Sequence, residues 1–269
     1  MNEAELLFTE ILNCDRVSLY LNKDIHLDKN NSSYASLVLK RRIKGEPIQY
    51  VLGKTEFMGL EFKVNPDVFI PRPETEILIE KTLELVTSHT LAGTSQSPVT
   101  SLKILDLGTG SGCIAVSLAK FLKYTEVTAT DISVDALKVA KENALFNNVE
   151  INFLQSDLFA AYSLAPKTYD LIVSNPPYIP TLAIEGLEPE IQHEPRISLD
   201  GGKDGLDFYR RIVAGAPNYL NKCGFLIMEM GFRQTEDIKK IFQKSQYFEI
   251  IEVIKDYNNI ERVIVANYG

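Results

Sequence analysis

The sequence predicts an α/β fold: an open, mostly parallel sheet covered by helices on both faces, preceded by a small helical domain and a hairpin connector. Two observations carry that expectation. From Leu102 onward, short apolar runs alternate with segments of helical periodicity, the rhythm of βαβ units. Before Pro71 the pattern differs, with helical spacing first and then a two-residue alternation punctuated by Gly and Pro.

Residues 3 to 13 carry Leu6, Leu7, Ile11 and Leu12 at helical spacing, and residues 32 to 44 carry Tyr34, Leu37, Val38 and Arg41 before Gly45 and Pro47 end the run. These segments form a helical bundle over the first 45 residues. Between Ile48 and Pro71, Leu60, Phe62 and Val64 alternate with Glu61 and Lys63, while Gly53, Gly59 and Pro66 mark turns, as in a hairpin or extended connector. Helical spacing returns over 74 to 87 through Ile79, Leu83 and Val86, and the Ser/Thr/Gly-rich stretch from Thr87 to Ser101 reads as a surface loop.

The alternation then runs strand Leu102 to Leu107, helix 112 to 122, strand Val127 to Asp131, helix 134 to 146, and strands Ile151 to Gln155 and Tyr169 to Ser174. A helix over 206 to 220, a strand from Phe225 to Met230 and a helix over 234 to 244 precede two final strands, 248 to 255 and 262 to 267. Only the short turn Asp256 to Glu261 separates those two, so they pair as a hairpin and leave one antiparallel strand in the sheet.

Composition narrows the function. The 269 residues are 45% hydrophobic and 24% charged, enough to bury a core in one or two domains. A net charge of −8 disfavours sequence-blind attachment to polyphosphate, and no stable nucleic-acid binding is expected. The densest basic run, Lys40, Arg41, Arg42 and Lys44, stands at a helix end, where the dipole favours cations anyway. Cys14, Cys113 and Cys223 are far apart with no metal-binding spacing, and His26, His89 and His193 are scattered, so no metal is expected. Met1 to Leu12 lacks a basic region followed by an apolar run, and no stretch is long enough to span a bilayer. A cytoplasmic protein without a membrane partner is the expectation.

The chemistry concentrates at the ends of the first four strands of the parallel sheet. Ile104-Leu-Asp-Leu-Gly108-Thr-Gly110-Ser-Gly112 places three glycines where the first strand turns into its helix, the position at which open parallel sheets bind ligands. Without Cβ atoms, such a loop lets a ligand approach the backbone. Cys113 occupies the place where a dinucleotide fingerprint requires its third small residue, which weakens a pyrophosphate reading. Asp131 ends the second strand, where a carboxylate accepts hydrogen bonds from both ribose hydroxyls. Asp106 at the glycine loop is placed to meet an ammonium group, and Asp157 after the third strand to meet an adenine amino group. Acidic residues at all three ends suit a cationic nucleoside, S-adenosylmethionine, better than a phosphate-bearing one.

The fourth strand runs directly into Asn175-Pro176-Pro177-Tyr178. Two prolines stiffen the loop and remove two N–H donors, leaving acceptors. An amide or aromatic amino nitrogen is a poor nucleophile because its lone pair is delocalised. Two oxygens, the Asn175 side chain and the Pro176 carbonyl, would each accept one N–H and favour its attacking form, with Tyr178 stacked on the planar group. Methyl transfer by in-line displacement then needs no covalent intermediate. Asn175 is the candidate catalytic residue.

Together with Gly45-Glu-Pro-Ile-Gln-Tyr-Val-Leu-Gly53 and Phe69-Ile-Pro-Arg-Pro-Glu-Thr-Glu76, these motifs make the chain resemble, nearly end to end, the release factor glutamine methyltransferases, the HemK or PrmC family. The resemblance implies a Rossmann-like seven-stranded methyltransferase sheet over residues 71 to 269. It implies a helical domain with hairpin connector over residues 1 to 70 for substrate-protein recognition. It implies S-adenosylmethionine as donor and S-adenosylhomocysteine as product, and as partners bacterial class I release factors, methylated on the Gly-Gly-Gln glutamine. By the same carry-over Gly108, Thr109, Gly110, Ser111, Gly112, Asp131, Asp157, Leu158 and Asn175 hold the donor, and Asn175, Pro176, Pro177 and Tyr178 hold the glutamine. Leu158 stands where family members often carry an aromatic residue against adenine, so that contact becomes aliphatic. Glu185 to Gly205, rich in Glu and Pro, is the expected border of the substrate entrance. Two rivals use the same residues: methylation of amino groups on DNA or RNA bases, where a flipped base offers the same planar nitrogen, and a binding module that has lost turnover.

Overall fold

The computed structural model describes residues 3–21, 26–91 and 101–269. The chain opens with four short helices, α1 (Glu3–Leu12), α2 (Arg16–Leu21), α3 (Lys29–Arg42) and α4 (Ile48–Leu52). Asp28 caps α3 by accepting the Asn31 N–H, and Gly53, at φ +75°, ends α4. Leu7, Ile11, Val38, Ile48 and Val51 form the small core between them. The helices α2 and α4 are absent from the sequence expectation because five or six residues are too few to show a 3.6-residue period.

The connector is a hairpin, β1 (Lys54–Phe57) and β2 (Leu60–Lys63), paired antiparallel. Its two-residue turn, Met58 and Gly59, has positive φ at both positions, the geometry that matches strand twist. Phe57 and Phe62 project from it into the main core. Next comes α5 (Pro73–Leu91), whose proline at the first helical position forfeits only an N–H that would have had no partner. The helix runs past the start of the expected surface loop, and residues 92–100 of that loop lie outside the described residues.

The remaining elements are β3 (Leu102–Leu107), α6 (Cys113–Phe121), β4 (Thr125–Asp131), α7 (Val134–Phe146), β5 (Asn152–Gln155), β6 (Tyr169–Ser174), α8 (Asp207–Gly215), β7 (Leu220–Glu229), α9 (Thr235–Ser245), β8 (Phe248–Lys255) and β9 (Glu261–Tyr268). They build a seven-stranded sheet of order β5-β4-β3-β6-β7-β9-β8. Only β9 runs against the others, pairing antiparallel with both β7 and β8 as the short Asp256–Glu261 turn requires. The helix expected over 206 to 220 stops at Gly215, and a single 3-10 turn at Ala216–Asn218 leads into β7. Pro217 is the reason, since it cannot donate into a continuing helix.

Both faces of the central strands β3 and β6 are buried, which explains their unbroken apolar runs. In β3, Ile104 enters the core beneath α5 and α6, while Leu105 and Leu107 enter the core beneath α8 and α9. Chain order reverses between β3 and β6: from β3 the sheet grows to β4 and β5 on one side and to β6 and β7 on the other. Helices from the two sides diverge there, leaving a crevice beyond the carboxyl ends of these strands.

The basic run at the end of α3 is committed internally. Arg41 Nε donates to Glu46 Oε2 at 2.7 Å, and Arg42 Nη2 bridges Glu3 Oε1 and Glu190 Oε1, each at 2.7 Å. The helical lobe thereby touches the segment that borders the crevice. Gly45, at φ +83°, lies against Pro189, where a Cβ would come within 3.2 Å.

Candidate active site

The crevice holds a cavity of about 250 Å³ lined by the glycine loop, the ends of β4 and β5, and the loop after β6. Gly108, Gly110 and Gly112 have φ of +73°, +54° and +83°, a region that side chains rarely adopt. The N–H groups of Gly108 and Thr109 both donate to the Thr130 carbonyl, at 2.9 and 2.8 Å, which fastens the loop to β4. Nothing lies within 4 Å of where a Cβ would stand on Gly108 or Gly110. Gly112 does not line the cavity: it faces α7, where a Cβ would meet Ala140 Cβ at 3.1 Å, and it serves helix packing instead.

Asp131 carries the loop from the neighbouring strand. Its Oδ2 accepts the Gly110 N–H at 2.8 Å and its Oδ1 accepts the Ser133 N–H at 2.9 Å, which leaves further lone pairs toward the cavity. Burial raises its carboxyl above the ordinary range, while those N–H groups pull the other way. Asp106 departs from expectation. It is fully buried behind the loop, accepts from Thr109 Oγ1 at 2.6 Å, and is pushed by burial up to about 7. It is not among the residues that line the cavity, and through Thr109 it braces the glycine loop from beneath.

Asp157 lines the cavity and pairs with Arg211, Nη2 to Oδ2 at 2.7 Å. Leu158, at φ +53°, is turned into the same wall, held by Ser156 Oγ donating to its carbonyl at 2.6 Å. The charged side chains lining the cavity are Asp67, Asp131 and Asp157 against a single guanidinium, Arg211. Such a lining favours a cationic ligand and disfavours a pyrophosphate.

On the opposite wall stand Asn175, Pro176, Pro177 and Tyr178. The loop is held from three directions. Ser174 Oγ donates to the Leu107 carbonyl at 2.7 Å, Gln234 Nε2 to the Tyr178 carbonyl at 2.9 Å, and the Gly201 N–H to the Ile179 carbonyl at 2.8 Å. Two glycines permit the approach of the supporting loop: a Cβ on Gly205 would stand 2.3 Å from the Tyr178 carbonyl, and one on Gly201 2.8 Å from that of Pro177.

Two residues of this site were not singled out from the sequence. Asn175 Nδ2 donates to Thr75 Oγ1 at 3.0 Å, and Thr75 Oγ1 donates to Glu229 Oε2 at 2.6 Å. Thr75 and Glu229 are each 2% exposed, and burial pushes Glu229 up to about 7. Thr75 belongs to the Phe69–Glu76 segment that carries part of the family resemblance, and that segment was the available signal. Glu229 ends a plain apolar strand and had none.

The expected entrance segment contributes Pro195, Ile197, Ser198 and Leu199 to the cavity wall. It is pinned through Glu194, whose side chain is 1% exposed and accepts from the Ile70 N–H at 3.1 Å and from the Arg72 guanidinium. Removing one partner of a fully buried pair costs roughly 3 to 5 kcal/mol. Arg72 keeps 30% of its side-chain exposure, so Arg72→Ala is expected to fall somewhat below that range. Thermal unfolding checks this as a melting point lowered by several degrees, with faster amide exchange at Ile70; an unchanged melting point refutes the pin.

Comparison with known proteins now decides the family. A model of the methyltransferase small domain matches residues 86–187, and one of the PrmC N-terminal domain matches residues 1–53. The release factor glutamine methyltransferase of Geobacter sulfurreducens is 41% identical over 268 residues, which is 99% of this chain and 89% of that protein. The chain belongs to the release factor glutamine methyltransferase family. The family member from Bacillus cereus is 37% identical over 266 residues, covering 98% of this chain and 92% of its own length. A methyltransferase from Pyrococcus furiosus, 18% identical with a TM-score of 0.56, covers 88% of this chain and 98% of that one, and it shares the fold. As a release factor glutamine methyltransferase family member, the protein is an enzyme that transfers methyl groups, with the seven-stranded sheet anticipated from its sequence.

Proposed function

We propose that this protein methylates the side-chain amide nitrogen of the glutamine in the Gly-Gly-Gln motif of bacterial class I release factors, using S-adenosylmethionine and releasing S-adenosylhomocysteine. The observation that carries the reading is the placement of Asn175. It stands at the end of β6 with its NH2 engaged by Thr75, so its oxygen is free to accept, in one cavity with the glycine loop and Asp131.

The lining fits the donor. Gly108 and Gly110 leave room beside their backbone, Asp131 offers carboxylate lone pairs to ribose hydroxyls, Asp157 and Leu158 flank the adenine position, and the excess of carboxylates suits a positive ligand. The donor supplies, when bound, a methyl group on a positively charged sulfur. The chain supplies orientation. Asn175 Oδ1 and the Pro176 carbonyl accept the two N–H groups of the glutamine amide, so the nitrogen presents its lone pair and not a proton. The planar amide lies against Tyr178, and the stiff double-proline loop keeps these groups in register, which is where most of the rate gain of such a displacement arises.

The lobe over residues 1–70 grips the release factor in this reading. Val17, Tyr20, Leu39 and Ile43 expose apolar surface on it, and its contact with Glu190 joins it to the border of the cavity. The internal pairing of Arg41 and Arg42 speaks against a phosphate-binding role for that patch. Among the described residues no helix is long and apolar enough to cross a membrane.

Incubation with labelled donor and either purified release factor or nucleic acid tests the assignment. Mass spectrometry is expected to find one added methyl on the Gly-Gly-Gln glutamine. Label on nucleic acid alone overturns it.

A further inference from the structure

The two ends of an amide have nearly the same shape, so something must hold Asn175 with its oxygen, and not its NH2, toward the substrate. Packing does not distinguish them. Hydrogen-bond polarity does.

Glu229 lies at the end of β7, and its ionised carboxylate can only accept hydrogen bonds. The Thr75 hydroxyl has one proton, which that carboxylate takes along the 2.6 Å contact. Toward Asn175 the same hydroxyl has only lone pairs left, so at 3.0 Å it must face the NH2. Oδ1 is thereby turned to the cavity. We propose that Glu229 and Thr75 are positioning residues, a directional relay from β7 through α5 that sets which end of the Asn175 amide meets the substrate. The inference rests on the glutamine reading above for its catalytic consequence, but not for the relay itself.

The relay is reversible in principle. A protonated Glu229 donates to Thr75, whose hydroxyl is then free to donate to Asn175 Oδ1, and a flipped amide aims N–H at N–H of the substrate. The surroundings hold Glu229 where this matters. Burial is the largest influence and raises its carboxyl to about 7; Thr75 and Asn175 favour the ionised form, as does Arg262 from β9, while Glu74 from α5 opposes it. Tyr209 of α8 donates to the Glu229 backbone carbonyl at 2.9 Å and leaves the carboxylate to the relay, and Tyr178 is the other titrating group near it. Because the acid is raised, the working form is lost as pH falls through about 7 and is present above it.

Two measurements test this. In steady-state methylation of release factor, kcat is expected to rise with pH through the region near 7. Thr75→Val should lose that step and roughly ten- to a hundredfold in kcat, part of what one preorganised contact supplies. Donor affinity should stay unchanged. Thr75→Ser should restore both rate and step, and Glu229→Gln, which keeps an acceptor but no titrating proton, should flatten the profile. Independently of any substrate, the nitrogen-15 signals of the Asn175 side-chain NH2 should move across the same pH range in the unaltered protein and stay still in Glu229→Gln. Still signals in the unaltered protein overturn the relay, as does a Thr75→Val enzyme with ordinary kcat and pH profile. A protein that leaves release factor unmethylated while those signals still titrate sinks the functional assignment and not the relay.

Discussion

Asn175→Ala is expected to lower kcat by roughly a hundred- to a thousandfold, the ~2.7 to 4 kcal/mol typical of one preorganised polar contact in a transition state. Donor affinity should fall far less, because the glycine loop, Asp131 and Asp157 remain to hold the donor. The side chain is half-buried at the rim of the cavity, its NH2 already bound by Thr75, so truncation removes the acceptor oxygen without exposing a large core surface. The remaining acceptor, the Pro176 carbonyl, holds one N–H and leaves the nitrogen free to rotate back into conjugation. Single-turnover methylation beside calorimetric donor binding separates the two effects. Turnover near that of the unaltered enzyme refutes the assigned role.

Asp131→Ala should do the reverse, weakening donor binding by about a hundredfold while leaving the glutamine wall intact. Hydrogen bonds to a charged group contribute roughly 1.5 to 3 kcal/mol each, and two ribose hydroxyls are at stake. The carboxylate also anchors the glycine loop, since it receives the N–H groups of Gly110 and Ser133. Alanine leaves both donors to water and loosens the loop that lines the donor side. Asp131→Asn, which keeps one oxygen, should fall between. An unchanged dissociation constant contradicts the placement of the ribose.

Much of the fold is legible from periodicity, most clearly in the central strands, which are buried on both faces. Strands Leu102–Leu107, Tyr169–Ser174 and Phe248–Lys255 and the helix Val134–Phe146 lie where the pattern puts them. The misses have local causes: α2 and α4 are too short to show a period, and Pro217 ends α8 inside a run that otherwise reads as helical. The site divides in the same way. The cavity is lined by Gly108, Thr109, Gly110, Ser111, Asp131, Asp157, Leu158 and the Asn175–Tyr178 loop, all marked by their position at strand ends. Asp106 was legible as acidic but not as buried, because a strand's alternation does not say which face a helix will cover.

The amino-acid sequence alone determined the succession along the chain of the main sheet's strands and the longer helices, the glycine loop, the acidic strand ends and the double-proline loop. All of these are contiguous motifs whose meaning follows from backbone chemistry and from the carboxyl-end rule of parallel sheets. Tertiary structure alone decided that Thr75 stands behind Asn175 across 100 residues of chain, and Glu229 behind Thr75 across 154. It alone decided that Glu194 pins the entrance segment to Arg72 and that Gly112 packs against Ala140 of α7. The reason is physical: a hydrogen bond needs its partners about 3 Å apart, and strand order, which no local pattern encodes, sets those distances.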